Sequence, residues 1–221
     1  MGIQDKILKE YLRETYDVGT ITNEFLESIT QINLNQNINY NDLLQFKNLK
    51  EIIFTNVSID NSLYKILSNL KINKLTFLDC KLENFEYFKN SIKYLCINNC
   101  EIDNIYELNK FKYLDSLYLD EVNEIDLDYL TIIKNIKNLS FYNTKIINED
   151  KLIILDKIEN LCLTGTEIDN IDTLAYNETL KTLVIDKEIY DKNREVVKHL
   201  IYVGVNVIDY MNQNVESAYG V

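Results

Sequence analysis

Eight segments of this chain share the spacing L-x-x-L-x-L, with Leu, Ile or Phe at the marked positions. They open at Ile29, Leu49, Ile72, Ile92, Leu114, Ile136, Ile158 and Leu180, so successive openings fall 20 to 23 residues apart. A fixed period in this range identifies a leucine-rich repeat solenoid: one repeat cannot bury its apolar face alone and must stack on its neighbours. The expected fold is an α/β right-handed superhelix with a curved parallel sheet of about eight repeats. A helical cap is expected before the first repeat, and a helix and strand after the last.

Aligned on their openings, the repeats carry apolar residues at positions 1, 4, 6 and 11, usually with others near 14 and 17. The repeat at Ile92 shows the template with Ile92, Leu95, Ile97, Cys100, Ile102, Ile105 and Leu108. Positions 4 and 6 differ by two, so they leave the same face of a short strand and enter the core. Position 9 is held by Asn37, Val57, Cys80, Cys100, Val122, Thr144 and Thr166 in the first seven repeats. Thr and Cys there can donate to a carbonyl, whereas Val cannot. Cys80 and Cys100 thus have a structural task as stacked residues. Their adjacent coils make a disulfide conceivable, but reduced thiols are the simpler expectation.

Residues 1–28 are expected to form the N-terminal cap, with a helix over 3–16 presenting Ile3, Ile7, Leu8, Tyr11 and Leu12, and a second over Asn23–Ser28. Repeats occupy 29–187. In the C-terminal cap, 188–211, Asp191 is placed to cap a helix bearing Val196, Val197, Leu200 and Ile201. Gly204 suits that helix's C′ position, and Val205, Val207 and Asp209 then begin an edge strand. The polar tail, 212–221, is expected to fray. All four parts belong to one structural domain. Between strands, Phe85 with Phe88, and Ile105, Leu108 and Phe111, are spaced for single turns; Ser62 to Asn69 has the helical spacing of a longer element.

The formal net charge is −12, from 23 Lys and Arg against 35 Asp and Glu. Such acidity repels phosphate backbones and anionic membranes and speeds association with a basic protein. No segment could span a bilayer, and no N-terminal stretch pairs basic residues with an apolar run. A cytoplasmic monomer is expected, or a secreted or cell-surface protein if a leader has been removed. The four cysteines, 80, 96, 100 and 162, lie in repeat strands and turns rather than in the caps, unlike a disulfide framework.

No catalytic constellation emerges. The single His199 has no partner at a useful spacing, and phosphate-loop, C-x-x-C and H-E-x-x-H patterns are absent. Cys96 and Cys162 share position 5 in coils three apart, roughly 14 Å at about 4.8 Å per coil, too far for a disulfide. No enzyme, cofactor or metal is expected. The informative surface is the concave one, at positions 3, 5, 7 and 8. There Tyr94, Tyr118 and Tyr142 step one coil across and two residues along, on a diagonal of roughly 8 Å per step. Asp79, Asp120 and Glu121 flank this line, with Ile53 and Leu78 to one side. Tyrosines beside acids suit a contact surface for a basic protein.

The stretches Ile3-Gln4-Asp5-Lys6-Ile7-Leu8-Lys9-Glu10-Tyr11-Leu12, Gly19-Thr20-Ile21-Thr22 and Leu26-Glu27-Ser28-Ile29-Thr30-Gln31-Ile32-Asn33-Leu34 resemble the cap and first repeat of bacterial internalin-like leucine-rich repeat proteins. Leu161-Cys162-Leu163-Thr164-Gly165-Thr166-Glu167-Ile168-Asp169-Asn170-Ile171 is similar to their 22-residue repeat. The resemblance spans roughly residues 3 to 190 and implies protein binding through the concave sheet, without catalysis. Family members often carry Asn at position 9, kept here only as Asn37. Some carry an Asp-rich calcium loop in the cap, whereas Asp17-Val18-Gly19-Thr20-Ile21-Thr22 lacks alternating oxygen ligands. The functional expectation is a non-enzymatic binder of a basic protein, in one version an immunity-type toxin inhibitor. The alternative is an exported adhesin or virulence factor that engages a host receptor.

Overall fold

The structure is a computed structural model; it describes residues 2–83, 92–111, 113–131, 133 and 135–219. Phe85 and Phe88 lie outside them. Nine strands form one parallel sheet: β1 Gln31–Leu34, β2 Glu51–Thr55, β3 Lys74–Leu78, β4 Tyr94–Asn98, β5 Ser116–Asp120, β6 Asn138–Ser140, β7 Asn160–Cys162, β8 Thr182–Val184 and β9 Asn206–Ile208. Each strand pairs with its sequence neighbours without a register shift, so position 3 faces position 3 from Gln31 through Thr182. This is the expected α/β solenoid.

The strand pattern follows from period two. Side chains at positions 4 and 6, such as Leu117 and Leu119, are fully buried, while in β2 to β5 positions 3, 5 and 7 stay half-exposed on the concave side. After position 7 each coil must turn sharply inward. Position 8 does this with a left-handed backbone at Asn56, Asp79, Asn99, Glu121, Asn143 and Gly165, all between φ 49° and 74°. Asn and Asp tolerate this region best among side-chain-bearing residues. At Gly165 a Cβ would also lie 2.2 Å from Oδ1 of Asn143, whose side chain would have to move aside.

Position 9 then points back into the stack. Thr144 donates its hydroxyl to the Leu119 carbonyl at 2.7 Å and accepts from the Val122 amide at 3.2 Å. Cys100 repeats the motif with sulfur, donating to the Asn98 carbonyl and accepting from the Cys80 amide at 3.3 Å. All four cysteines are free thiols. Beyond position 9, Ser58–Ile59, Lys81–Leu82 and Glu101–Ile102 form a small parallel sheet, and Glu124–Asp126 pairs with Lys145–Ile147. The convex side carries short 3-10 turns, and one α-helix where the longest insert predicts it.

The helices are α1 Lys6–Tyr16, α2 Asn23–Ser28, α3 Asn61–Leu67, α4 Lys187–Lys192, α5 Arg194–Tyr202 and α6 Val215–Tyr219. Leu8 and Leu12 of α1 face the first coil, but Ile7 turns outward at 40% exposure and Ile3 is buried ahead of the helix. Asp5 caps α1 by accepting from the Leu8 amide and also holds the Asn39 amide; Asp42 accepts from the amides of Gln4 and Asp5 at 2.7 and 2.6 Å.

Two expectations for the C-terminal end need correction. Asp191 does not cap the final long helix. It sits inside α4, held by Lys187 and Arg194 at 2.7 Å each, while Asp186 caps α4 through the Ile189 amide. No side-chain hydrogen bond caps α5, although Gly204, at φ 97°, ends it as expected with the paired bonds of a Schellman turn, Gly204 to Ile201 and Val205 to Leu200. The tail does not fray before 219: Ile208 bridges Asn214, Val215 is fully buried and Tyr219 donates to the Ile185 carbonyl. Val215 and Tyr219 pack the tail against α4, with the Tyr219 ring 5.5 Å from that of Tyr190, which outweighs the tail's polar composition. Among the described residues no helix is long and apolar enough to cross a membrane.

Candidate protein-binding face

The sheet places positions 3, 5 and 7 as three parallel rows on the concave side. Along the position-3 row, Glu51 holds Lys74 at 3.0 Å, and the Lys74 ammonium lies 4.7 Å from the centre of the Tyr94 ring. Further on, Asn138 donates to the Ser116 hydroxyl and Asn160 to Asn138. On the position-5 row Cys96 is flanked by Thr76 and Tyr118. The Tyr94 and Tyr118 rings close to 5.1 Å between centroids at a 37° tilt. The strand spacing thus lets the diagonal's first two members pack. Among the described residues Tyr142, just past β6, makes no ring contact with them, and it stands beside Asp120 instead.

Asp120 is the centre of this face. Its Oδ1 accepts from the Ser140 hydroxyl at 2.5 Å and from the Tyr142 amide at 3.0 Å, tying β5 to the next coil. Its Oδ2 takes no hydrogen bond from the described residues. Burial raises the Asp120 carboxyl above its ordinary range, against the lowering effect of Ser140 and the Tyr142 amide. The same dry surroundings push Tyr94 up to about 12 and Cys96 up to about 11, and raise Tyr118 and Cys162. Cys96 and Cys162 therefore stay protonated at neutral pH, poor nucleophiles by that measure.

Charge compensation separates Asp120 from the other concave acids. Glu51 has Lys74, and both oxygens of Asp186 are taken by the amides of Gly165 and Ile189. Lys74 is the sole Lys or Arg at positions 3, 5 and 7 of the eight repeats, and it is already engaged. Asp120 is left as a carboxylate without a cation, beside tyrosines.

The remaining sequence-selected residues fall elsewhere. Asp79 and Glu121 occupy the left-handed rim at position 8, two coils apart, with Asn99 between them donating to Asp79 at 2.5 Å. Leu78 lies in the position-7 row, separated from Asp120 by Asn98. Ile53 is three coils from Tyr118 along the position-5 row and stands apart from the tyrosines. Ser140 and Lys74 were missed as members of the site. Their rows are legible in the sequence, but which acid each would hold is not. Thr164, only 7% exposed and with an unpaired hydroxyl, was missed too. Among the described residues no group of three or more His, Cys, Asp or Glu is positioned to hold a metal.

The backbone matches solved structures. An internalin (inlF) from Listeria monocytogenes superimposes on 94% of this chain with a TM-score of 0.65 at 20% identity; the chain spans 65% of that structure, just under two thirds. An internalin C2 (inlC2) from the same species superimposes on 93% of the chain and over 92% of its own length, with a TM-score of 0.61, again at 20% identity. This is the internalin type of leucine-rich repeat fold. No known family's sequence profile matches the chain, and no curated protein matches it by sequence. The concave rows are the broad surface that this fold offers.

Proposed function

We propose that the protein binds another protein through its concave sheet, and that the partner is basic there. The observation that carries this reading is Asp120: preorganised through Oδ1, open at Oδ2, desolvated, and close to Tyr118 without a compensating cation among the described residues. Leaving such a group uncompensated costs stability, and a partner's ammonium or guanidinium repays it, with the tyrosine faces adding cation–π attraction. The chain's net charge of −12 supports rapid capture of a basic surface. The role proposed is that of a binder. In its specific version it is a cytoplasmic inhibitor of the immunity type, neutralising a basic toxin by covering it. The resemblance to internalins supports a second reading, an exported protein that engages a receptor.

The test is to capture the partner from the native cell and measure affinity for variants. Asp120→Asn keeps the acceptor for Ser140 and Tyr142 but removes the charge, so folding should survive. Affinity should drop by roughly 2 kcal/mol or more, about thirtyfold. Tyr118→Asp should weaken it further. If both variants bind like the parent, the concave reading is lost. Fractionation of the native cell then separates the inhibitor from the exported receptor ligand.

A further inference from the structure

The position-9 thiols do more than bond to carbonyls. Cys80 and Cys100 stand opposite each other on adjacent coils, bracketed by Leu78↔Asn98 in one sheet and Lys81↔Glu101 in the other. Backbone bonds lock the coils on both sides of the pair, Asp79 to Asn98 at 3.1 Å and Glu101 to Cys80 at 3.0 Å. The separation there is set by the ladder at about 4.8 Å, inside the Cα range a disulfide accepts. The Cys80 amide donates to the Cys100 sulfur at 3.3 Å, which draws that sulfur against the Cys80 backbone. Cys96 and Cys162 have no such neighbour: each shares its row with Thr76 and Tyr118, or with Ser140 and Val184.

We propose that Cys80 and Cys100 form a reversible oxidation site, closed to an intramolecular disulfide by a hydroperoxide and reopened by a dithiol. The neighbouring Cys100 sulfur and backbone donors lower the Cys80 thiol, while Cys80 and burial raise Cys100, so Cys80 is the attacking sulfur. Its thiolate attacks one peroxide oxygen, the O–O bond breaks, and hydroxide leaves with a proton as water. The resulting sulfenic acid is attacked by the Cys100 sulfur. The S–O bond breaks, and the departing hydroxide takes the Cys100 proton as a second water. Two electrons pass from the thiols to one hydroperoxide. The disulfide forms once Cys80 turns away from the Phe54 and Leu78 carbonyls it now contacts at 3.6 and 3.2 Å. Both thiols are almost fully buried, so the oxidant class is one of water-sized molecules, hydrogen peroxide above all.

The experiment uses the full chain, reduced, then exposed to hydrogen peroxide. Thiols are counted after denaturation, and peptides are mapped by mass spectrometry without reduction. The expected result is a loss of two thiols, a Cys80–Cys100 linked peptide pair, and return of both thiols with dithiothreitol. A Cys96→Ser/Cys162→Ser variant should behave the same and guards against failure of ladder variants to fold. Cys100→Ser should give Cys80 sulfinic acid in place of the cross-link. Survival of all thiols, oxidation confined to Cys96 or Cys162, or cross-links between molecules would each overturn the proposal.

Discussion

The two ends of the solenoid meet the same problem, an edge strand with unpaired backbone groups, with different chemistry. At the N-terminal end α1 lies against β1, and side chains supply the bonds: Tyr11 accepts from the Asn33 amide through its hydroxyl, and Tyr16 donates to the Gln31 carbonyl. The helix is itself held by the crossed carboxylates Asp5 and Asp42. At the C-terminal end a backbone reversal is added to side-chain bonds, with Asp209 Oδ1 accepting from the Met211 and Gln213 amides and Tyr219 donating to the Ile185 carbonyl. Beyond β9 the chain reverses, Asp209 bonds to the Gln213 carbonyl, and Ile208 bridges Asn214. Asn193 joins this cap to the last repeat, accepting from the Ile171 amide and donating to the Asp169 and Ile189 carbonyls. The N-terminal edge is thus closed by side chains, whereas the C-terminal one adds a backbone reversal whose bonds a point mutation at Gln213 leaves in place.

Substitutions can break this contrast, and their expected effects run from large to negligible. Asp42→Ala strands the Gln4 and Asp5 amides beside a buried site and should cost about 3 kcal/mol, read as a lower urea midpoint with an unchanged slope. Asn193→Ala removes one acceptor and two donors and should cost about 2 kcal/mol, because its side chain bridges cap and repeat. Tyr11→Phe keeps the ring and loses one acceptor, for about 1 kcal/mol, with faster amide exchange at Asn33. Gln213→Ala should change nothing measurable, since only its backbone serves the bond. A substantial loss from Gln213→Ala, or none from Asp42→Ala, would defeat the comparison.

A pH experiment extends the contrast to the concave face. Asp120 has a folded pKa raised above its unfolded value, so the folded state binds the proton more tightly. Its charge therefore costs stability at neutral pH, and that cost disappears as pH falls through the raised value, above the ordinary carboxylate range. Asp120→Asn should raise the neutral-pH melting temperature slightly and flatten the stability profile in that window. An Asp120→Asn protein less stable than the parent at neutral pH would show that the carboxylate is structural.

The period fixed most of the fold in advance. Ile92 to Leu108 already name a coil, and strand, turn and convex segment follow from stacking. Position 8 was not legible as a backbone class, because Asn, Asp, Glu and Gly share only a tolerance for left-handed φ, and Glu121 hides the pattern. Asp186 and Asp191 offer equal capping chemistry; only the ion pairs with Lys187 and Arg194 decide between them. The tail's apolar anchors are Val215 and Tyr219, too few residues for a periodic signal. On the concave face the sequence supplied the rows and the tyrosine diagonal. It could not show that Ser140 occupies one oxygen of Asp120 and leaves the other free, since that depends on rotamers in adjacent coils.

The left-handed residue at position 8 also bears on how such a chain can change length. The strand, its seven positions and the turn at Asn56, Asp79, Asn99, Glu121, Asn143 or Gly165 keep a constant register, while the 20- to 23-residue spread of the repeats is taken up after that turn. Insertions and deletions on the convex side therefore leave the opposite face in phase. Excising one whole coil would shorten the molecule by a step and bring two non-adjacent rows side by side. A lineage built this way can shuffle its recognition surface by duplication and loss, without reinventing the backbone that carries it.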